Sequence, residues 1–269
     1  MEVGYSYKGG LTNLIRGLYT GCSGMMAQLA RQDVLANNLA NVSTPGFKKD
    51  VTAGQAFPQM RIRRIGDISD QGRAQPLRPP LVGTLGTGAA IAEIATDHSG
   101  GNLQKTENSL DLALRADGYF VVDTPGGERY TRNGAFKLND EGLLTTDQGY
   151  PVLGSAGPIL LAGEGELTVD SQGNLMLGTE LVDTLRIVRF ADSRRLVKIG
   201  DNLFESGGQE DEDVLNPRVM QGFLETSNVN AVREMVELIT VVRAYEANQK
   251  IVQAEDQMLD AAVNRVGSL

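Results

Sequence analysis

The sequence predicts an α+β protein, with long N- and C-terminal helices forming a coiled-coil stalk around a central all-β domain. Three observations lead there. Apolar residues recur at alternating intervals of three and four near both ends of the chain, between the ends the period falls to two in short runs separated by Gly-containing turns, and the two ends carry opposite charge. The chain has 269 residues, 41% of them hydrophobic, which is enough apolar material for a sizeable core. Its net charge of -9 argues against a nucleic-acid groove as the main function, because neutralising phosphates takes a clustered excess of Lys and Arg. One Cys and one His exclude an internal disulfide, a thiolate zinc site and a metal shared between imidazoles. No window of about 18 apolar residues is present, so no transmembrane helix is expected.

Residues 1–13 are rich in Gly, Ser and Tyr without periodicity, and they lack the apolar stretch of about 7 to 15 residues that marks a secretory signal. They are expected to be a disordered or non-native extension, with Leu14 standing where a TTG start codon would open the chain. The N-terminal helix and its turn then occupy 14–47. Ile15, Leu18, Cys22, Met25, Leu29, Gln32, Ala36 and Leu39 form a heptad seam, and a small Cys is ordinary in such a seam, so Cys22 is expected in packing rather than as a reactive thiol. The helix is expected to stop near Asn41, which would take a left-handed cap before Thr44, Pro45, Gly46 and Phe47 redirect the chain. That turn should govern geometry more than stability, so that Gly46→Val would leave the melting of the β domain unchanged. Residues 48–88 hold scattered Pro and Gly and read as an extended connector. The run Gly83 to Gly88 belongs to it, having neither the phosphate-loop Lys nor dinucleotide-binding spacing.

The central β domain spans 89–204, from a first strand at 89–95. Candidate strands follow at 110–114, 119–122, 136–138, 143–146, 167–169, 175–177, 185–190 and 196–199, with turns at 125–127, 139–142, 147–149 and 170–173. A return segment, 205–226, contains the acidic run Glu210 to Asp213, expected as a solvated loop. The C-terminal helix occupies 227–269, with Ser227, Asn228 and Asn230 as candidate caps and Glu234 and Glu237 near its positive end. Its seam is Met235, Leu238, Val242, Tyr245, Gln249, Val252, Asp256, Leu259, Val263 and Val266. A helix of roughly 35 residues reaches about 50 Å, longer than a small domain is wide, and requires a partner. Charge indicates which. Residues 1–65 hold eight Lys/Arg against three Asp/Glu, and residues 205–260 hold four against twelve.

Candidate chemistry is sparse. His98-Ser99 has no local acid to orient the imidazole and no nucleophile elbow, and is expected in an exposed loop. Met25, Met26, Met235 and Met258 follow helical spacing and read as adaptable packing. A polysaccharide hydrolase would need paired carboxylates, and Asp111, Asp117 and Asp123 are not placed across a cleft by their spacing. No catalytic, cofactor-binding or metal-binding residue is expected. A surface adhesin with a helical stalk is the other alternative.

The segment Leu35-Ala36-Asn37-Asn38-Leu39-Ala40-Asn41-Val42-Ser43-Thr44-Pro45-Gly46-Phe47-Lys48 resembles the N-terminal signature of bacterial flagellar rod and hook axial proteins. Leu224 to Asn230 followed by Arg243 to Lys250 resembles their C-terminal signature, and Tyr130 to Phe136 their central β motif. Phe57-Pro58-Gln59-Met60 resembles the hook-basal-body paralogues of Gram-positive bacteria. The resemblance implies a structural, non-enzymatic component of the flagellar basal body, exported by the flagellar type III apparatus without a cleaved signal peptide and lying outside the cytoplasmic membrane. It implies assembly with copies of itself and with other rod and hook proteins. The terminal segments would be disordered in the monomer and fold on assembly into an inner tube around the export channel, with the β domain outside. Asn37, Asn38 and Asn41, beside Leu39, would then bond across subunits. The first thirteen residues, and Cys22 in place of a small residue, depart from the family pattern.

Overall fold

The computed structural model describes residues 7–63, 81–162 and 165–266. Residues 1–6 of the expected extension and 64–80 of the expected connector lie outside the described residues, as do the side chains of Ile15 and Val266. The chain divides into two compact units. One comprises Met1–Ala36, Val51–Ala95 and Met235–Leu269; the other comprises Asn37–Asp50 and Thr96–Glu234.

Two helices dominate the first unit, α1 (Tyr7–Ala40) and α2 (Ala231–Val266). α1 thus begins inside the segment expected to lack structure. Its face toward α2 is set by glycines. A Cβ added to Gly17 would stand 2.5 Å from Glu255 Oε1, one on Gly21 2.8 Å from Val252 Cγ2, and one on Gly24 2.9 Å from Asn248 Nδ2. The order of these contacts makes the helices antiparallel, and the four-three spacing continues through Gln28 and Arg31, which pairs with Glu237 at 3.2 Å, to buried Leu35. The expected seam lies one residue later. Cys22 and Leu29 are exposed, while Leu18, Met25 and Leu39 are half-buried. The offset has a physical reason: a search for apolar periodicity gives glycine no weight, whereas close helix approach favours it. On α2, Leu238, Tyr245, Val252 and Leu259 are half-buried, Met235 is exposed, and half-buried Val242 is outdone by its neighbour Val241 at 2% exposure. Asn230 caps α2, its Oδ1 accepting from Arg233 N at 3.0 Å, as its position before the first turn predicts.

Within 48–88, the expected extended connector, the described residues include three strands. β1 (Asp50–Ala56) pairs with β4 (Ala89–Thr96), and β2 (Met60–Arg63) pairs antiparallel with β3 (Leu81–Leu85). Pro58 falls between β1 and β2, and Gly86 and Gly88 between β3 and β4, while Gly54 and Gly83 lie within strands. The strands bury little: Met60, Ile62, Leu81 and Val82 are all exposed.

In the second unit, short strands succeed one another in chain order: β5 (Leu103–Lys105), β6 (Leu112–Leu114), β7 (Tyr119–Thr124), β8 (Gly127–Thr131), β9 (Lys137–Leu138), β10 (Leu144–Thr145), β11 (Leu167–Val169), β12 (Asn174–Leu177), β13 (Glu180–Thr184) and β14 (Ile187–Arg189). After a 3-10 turn at Ser193–Arg195 come β15 (Val197–Gly200), β16 (Leu203–Glu205), β17 (Glu212–Asp213), β18 (Val219–Gln221) and β19 (Phe223–Glu225). The largest sheet has the order β15-β16-β8-β7-β14-β17, while β11-β12-β13 form a second sheet. β7 explains why the unit coheres. Phe120 and Val122 point into one apolar cluster with Phe136 and Leu144, and Tyr119 and Val121 point into another with Tyr130, Val188 and Phe204. A strand buried on both faces needs an unbroken apolar run, which Tyr119-Phe120-Val121-Val122 supplies. Each such side chain contributes roughly 1.5–3 kcal/mol by leaving water. The return segment 205–226 carries strands: β18 pairs with β6, β19 with β5, and Glu212-Asp213, expected in a solvated loop, is the exposed edge strand β17.

Candidate functional site

Where α1 ends, side chains rather than a left-handed residue close the helix. Asn41 Nδ2 donates to Asn37 O at 2.9 Å, and Asn41 Oδ1 accepts from Thr44 Oγ1 at 3.2 Å. The left-handed position is Gly46, at φ 68°, not Asn41. Gly46 N donates to Glu225 O at 2.7 Å, and Asn202 Nδ2 donates to Pro45 O at 3.0 Å. A Cβ on Gly46 would collide with the Arg132 carbonyl carbon and come within 2.5 Å of Asn133 N. Phe47 is 5% exposed, with Lys198 Nζ 4.3 Å from its ring centroid. The turn is therefore packed into the β unit, which corrects the expectation that it matters for geometry more than for stability.

One residue further on, a charged knot is buried. Lys48, 1% exposed, pairs through Nζ with Glu225 Oε1 at 2.5 Å and donates to Ser99 O at 2.8 Å. Glu225, 3% exposed, also accepts from Gly101 N at 2.8 Å and from Arg132 Nη1 at 3.5 Å. Taking three charges out of water is costly, and only mutual pairing with additional hydrogen bonds offsets it. Burial holds the Lys48 ammonium below its ordinary range, opposed by the Glu225 carboxylate beside it. Around the knot, Lys198 Nζ pairs with Asp50 Oδ2 at 2.9 Å and donates to Lys48 O. Asn228 Oδ1 accepts from Lys49 N at 2.8 Å, and its Nδ2 donates to Asp97 O at 2.8 Å.

His98 sits beside this cluster rather than in an exposed loop. Tyr119 Oη lies 2.8 Å from His98 Nδ1, and among the described residues no carboxylate is hydrogen-bonded to the ring. Burial, together with the cations Lys48, Lys198 and Arg132, lowers the imidazole to about 4, while burial raises the Tyr119 phenol to about 12. The ring also packs against Phe204, with 5.3 Å between centroids, so His98 is part of the packing of this unit. The three carboxylates weighed for hydrolysis have separate surroundings. Asp111 accepts from Asn108 Nδ2 at 3.0 Å, Asp117 lies 3.9 Å from Arg132 Nη2, and Asp123 is exposed in β7. Among the described residues, no three His, Cys, Asp or Glu side chains gather as a metal site would require.

Of the amides at the end of α1, Asn37 is exposed and Asn38 is 1% exposed. Asn38 Nδ2 donates to Asp50 O at 2.8 Å and to Glu234 Oε2 at 3.4 Å, and its Oδ1 accepts from Asp50 N at 2.9 Å. Its hydrogen bonds are therefore made within the chain. Lys48, Arg132 and Glu225 lie in the three family-like segments, but the sequence alone gives them no role. The available signal was a charge directly after an apolar residue, Lys48 after Phe47 and Glu225 after Leu224; Arg132, between Thr131 and Asn133, carries no such mark.

Comparisons with known proteins match the same segments. Residues 18–48 match the family described as flagella basal body rod protein, 113–177 the flagellar hook protein FlgE/F/G D1 domain, and 220–265 the flagellar basal body rod FlgEFG protein C-terminal family. Over 93% of this chain and 99% of the relative, the sequence is 35% identical to the flagellar basal-body rod protein FlgG of Bacillus subtilis. It is 34% identical to the flagellar basal-body rod protein FlgF of Caulobacter vibrioides, covering 94% of this chain and 98% of the relative. The flagellar hook-basal body complex protein FlhO of Bacillus subtilis is 29% identical over 95% of the chain and the whole of that protein.

Proposed function

The chain belongs to the flagellar basal-body rod protein family and is a structural component of that rod, and on this premise we propose how it builds one. Its terminal helices line an inner tube around the export channel, and copies associate with each other and with neighbouring rod and hook proteins to transmit torque. The carrying observation is apolar surface left over after the helices have met. Tyr19, Met26 and Leu29 on α1 are 70%, 73% and 49% exposed, and Cys22 on the same three-and-four spacing is exposed as well. On α2, Val232, Val236 and Ile239 are 73%, 58% and 54% exposed. Two helices that already pair through one face and still present apolar stripes suit a multi-helix wall. We assign Ile15, Leu18, Cys22, Met25, Leu29, Asn37, Leu39, Met235, Leu238, Val242, Tyr245, Val252 and Leu259 to contacts made in that wall.

The chain performs no catalysis in this reading, and it leaves the cytoplasm through the flagellar type III apparatus without a cleaved signal peptide, to function in the periplasm or cell wall. Among the described residues, no helix is long and apolar enough to cross a membrane. The deciding experiment is electron microscopy of basal bodies from a strain lacking this chain. The expected result is a truncated rod without hook or filament, restored by the gene in trans. Complete, rotating flagella in that strain would instead favour an adhesin.

A further inference from the structure

The six-stranded sheet ends in two outer strands of unlike character, and among the described residues each has one edge with no strand beside it. At one end, β17 carries Glu212 and Asp213, directly preceded by Glu210 and Asp211 and followed by Leu215, which is 94% exposed. At the other end, β15 exposes Val197 and Ile199 at 53% and 45%, and Arg194 and Arg195 precede it. Part of each charge is answered within the chain. Arg186 pairs with Asp211 at 2.8 Å and lies 4.0 Å from Asp213, and Arg189 pairs with Glu212 at 2.9 Å. Arg194 pairs with Asp192 at 3.2 Å, and Lys198 turns away to Asp50. An excess remains at both ends: four carboxylates face two guanidinium groups beside β17, and neither Glu210 nor Arg195 makes an ion pair among the described residues.

We propose that these two edges dock on one another between copies of this chain, the acidic β17 edge of one copy meeting the Arg195 side of β15 in the next. The inference rests on the chain being a rod component and names the surface by which neighbouring β units meet. Leu215 would lie against Val197 and Ile199, with Glu210 and Arg195 pairing at the rim. Like edges repel, so acidic cannot meet acidic nor basic meet basic, and the contact is directional. An interface made from opposite ends of one sheet is heterologous: it does not close as a two-fold dimer, and it propagates from copy to copy. Exposed apolar edge strands are a hazard that proteins usually blunt or cover, and here each edge would cover the other.

The test uses the full chain expressed in the strain that lacks it. Arg195→Glu and Glu210→Lys alter exposed side chains that make no ion pair among the described residues, so both variants should be made and exported and should melt like the parent. Each alone is expected to lose swimming and to leave incomplete rods, and the double variant R195E/E210K is expected to restore both. In a Cys22→Ser background, Val197→Cys with Leu215→Cys should yield a ladder of cross-linked copies in isolated basal bodies, absent from either single variant. Normal rods in both single variants, failure of the double to recover, or no ladder would overturn the docking proposal. Complete rods in the strain lacking the chain altogether would instead overturn the rod assignment itself, so the two failures are distinguishable.

Discussion

Gly46 shows how one backbone angle ties the end of a helix to a β unit. Its positive φ disfavours any β-branched residue, and its missing side chain admits the Arg132–Asn133 backbone. Gly46→Val is expected to cost at least about 2–3 kcal/mol and to lower the melting temperature of the isolated protein; unchanged melting would mean that the turn is not seated there. Lys48 makes the complementary case for charge. Lys48→Met leaves Glu225 buried against only the more distant Arg132 and the Gly101 N–H, and about 3 kcal/mol should be lost in urea denaturation. Lys48→Met with Glu225→Gln should recover part of that loss, because the stranded carboxylate is gone. His98 sets a pH signature. Its imidazole is held at about 4 in the folded chain against an ordinary 6.5, so between those values the unfolded chain binds a proton that the folded chain refuses. Stability therefore rises with pH across that window and falls as pH drops from 7 to 4, by about 1–2 kcal/mol once partial exposure is allowed for. His98→Gln should flatten this part of the profile in melts taken at each pH, and an unaltered profile would contradict the assignment.

At the scale of elements, the sequence was most legible where one face is apolar and least legible where backbone packs on backbone. The strands at 119–124 and 167–169 follow from apolar residues and Gly turns, and the Asp170–Gly173 turn forms with Asp170 Oδ1 accepting from Gln172 N at 2.8 Å. The strands at 103–105, 219–221 and 223–225 escaped notice because each is three residues long and gains its partner from far along the chain. Period alone cannot report such pairings. α1 was legible as a helix but not in its facing. Its contact stripe is Gly17, Gly21 and Gly24, which a hydrophobic count passes over, and its apolar residues are left for other surfaces. That division separates two substitutions. Gly21→Val should wedge α1 from Val252 and lower helix content in the isolated protein. Leu29→Asp, at an exposed position, should leave circular dichroism and melting unchanged while abolishing incorporation into basal bodies, since a carboxylate buried in a helix wall costs several kcal/mol. Normal swimming of the Leu29→Asp strain would remove α1 from the wall.

Over the whole molecule, three recognisable segments far apart in sequence meet at one place, since Lys48, Arg132 and Glu225 come one from each. The family resemblance was therefore visible in the sequence, but its structural basis was not: the segments look like independent signatures until the fold brings their charges together. The same convergence has a mechanical consequence. The chain first enters the β unit at residues 37–50, returns to it at Thr96 after the stretch 51–95, and leaves it finally near 225–234; the first and last of these stretches are fastened directly to one another by Asn38 to Glu234, Gly46 to Glu225 and Lys48 to Glu225. They act as a clasp that closes a loop of well over a hundred residues. Tension applied between Asn37 and Glu234 would run through the clasp and bypass the sheets it encloses. In single-molecule pulling from those two positions, the parent should give one high-force rupture followed by extension of the released β unit. Lys48→Met should lower that first force while leaving the later extension unchanged. A rod subunit built this way could carry fluctuating strain along its two terminal strands of chain while the β unit between them stays slack.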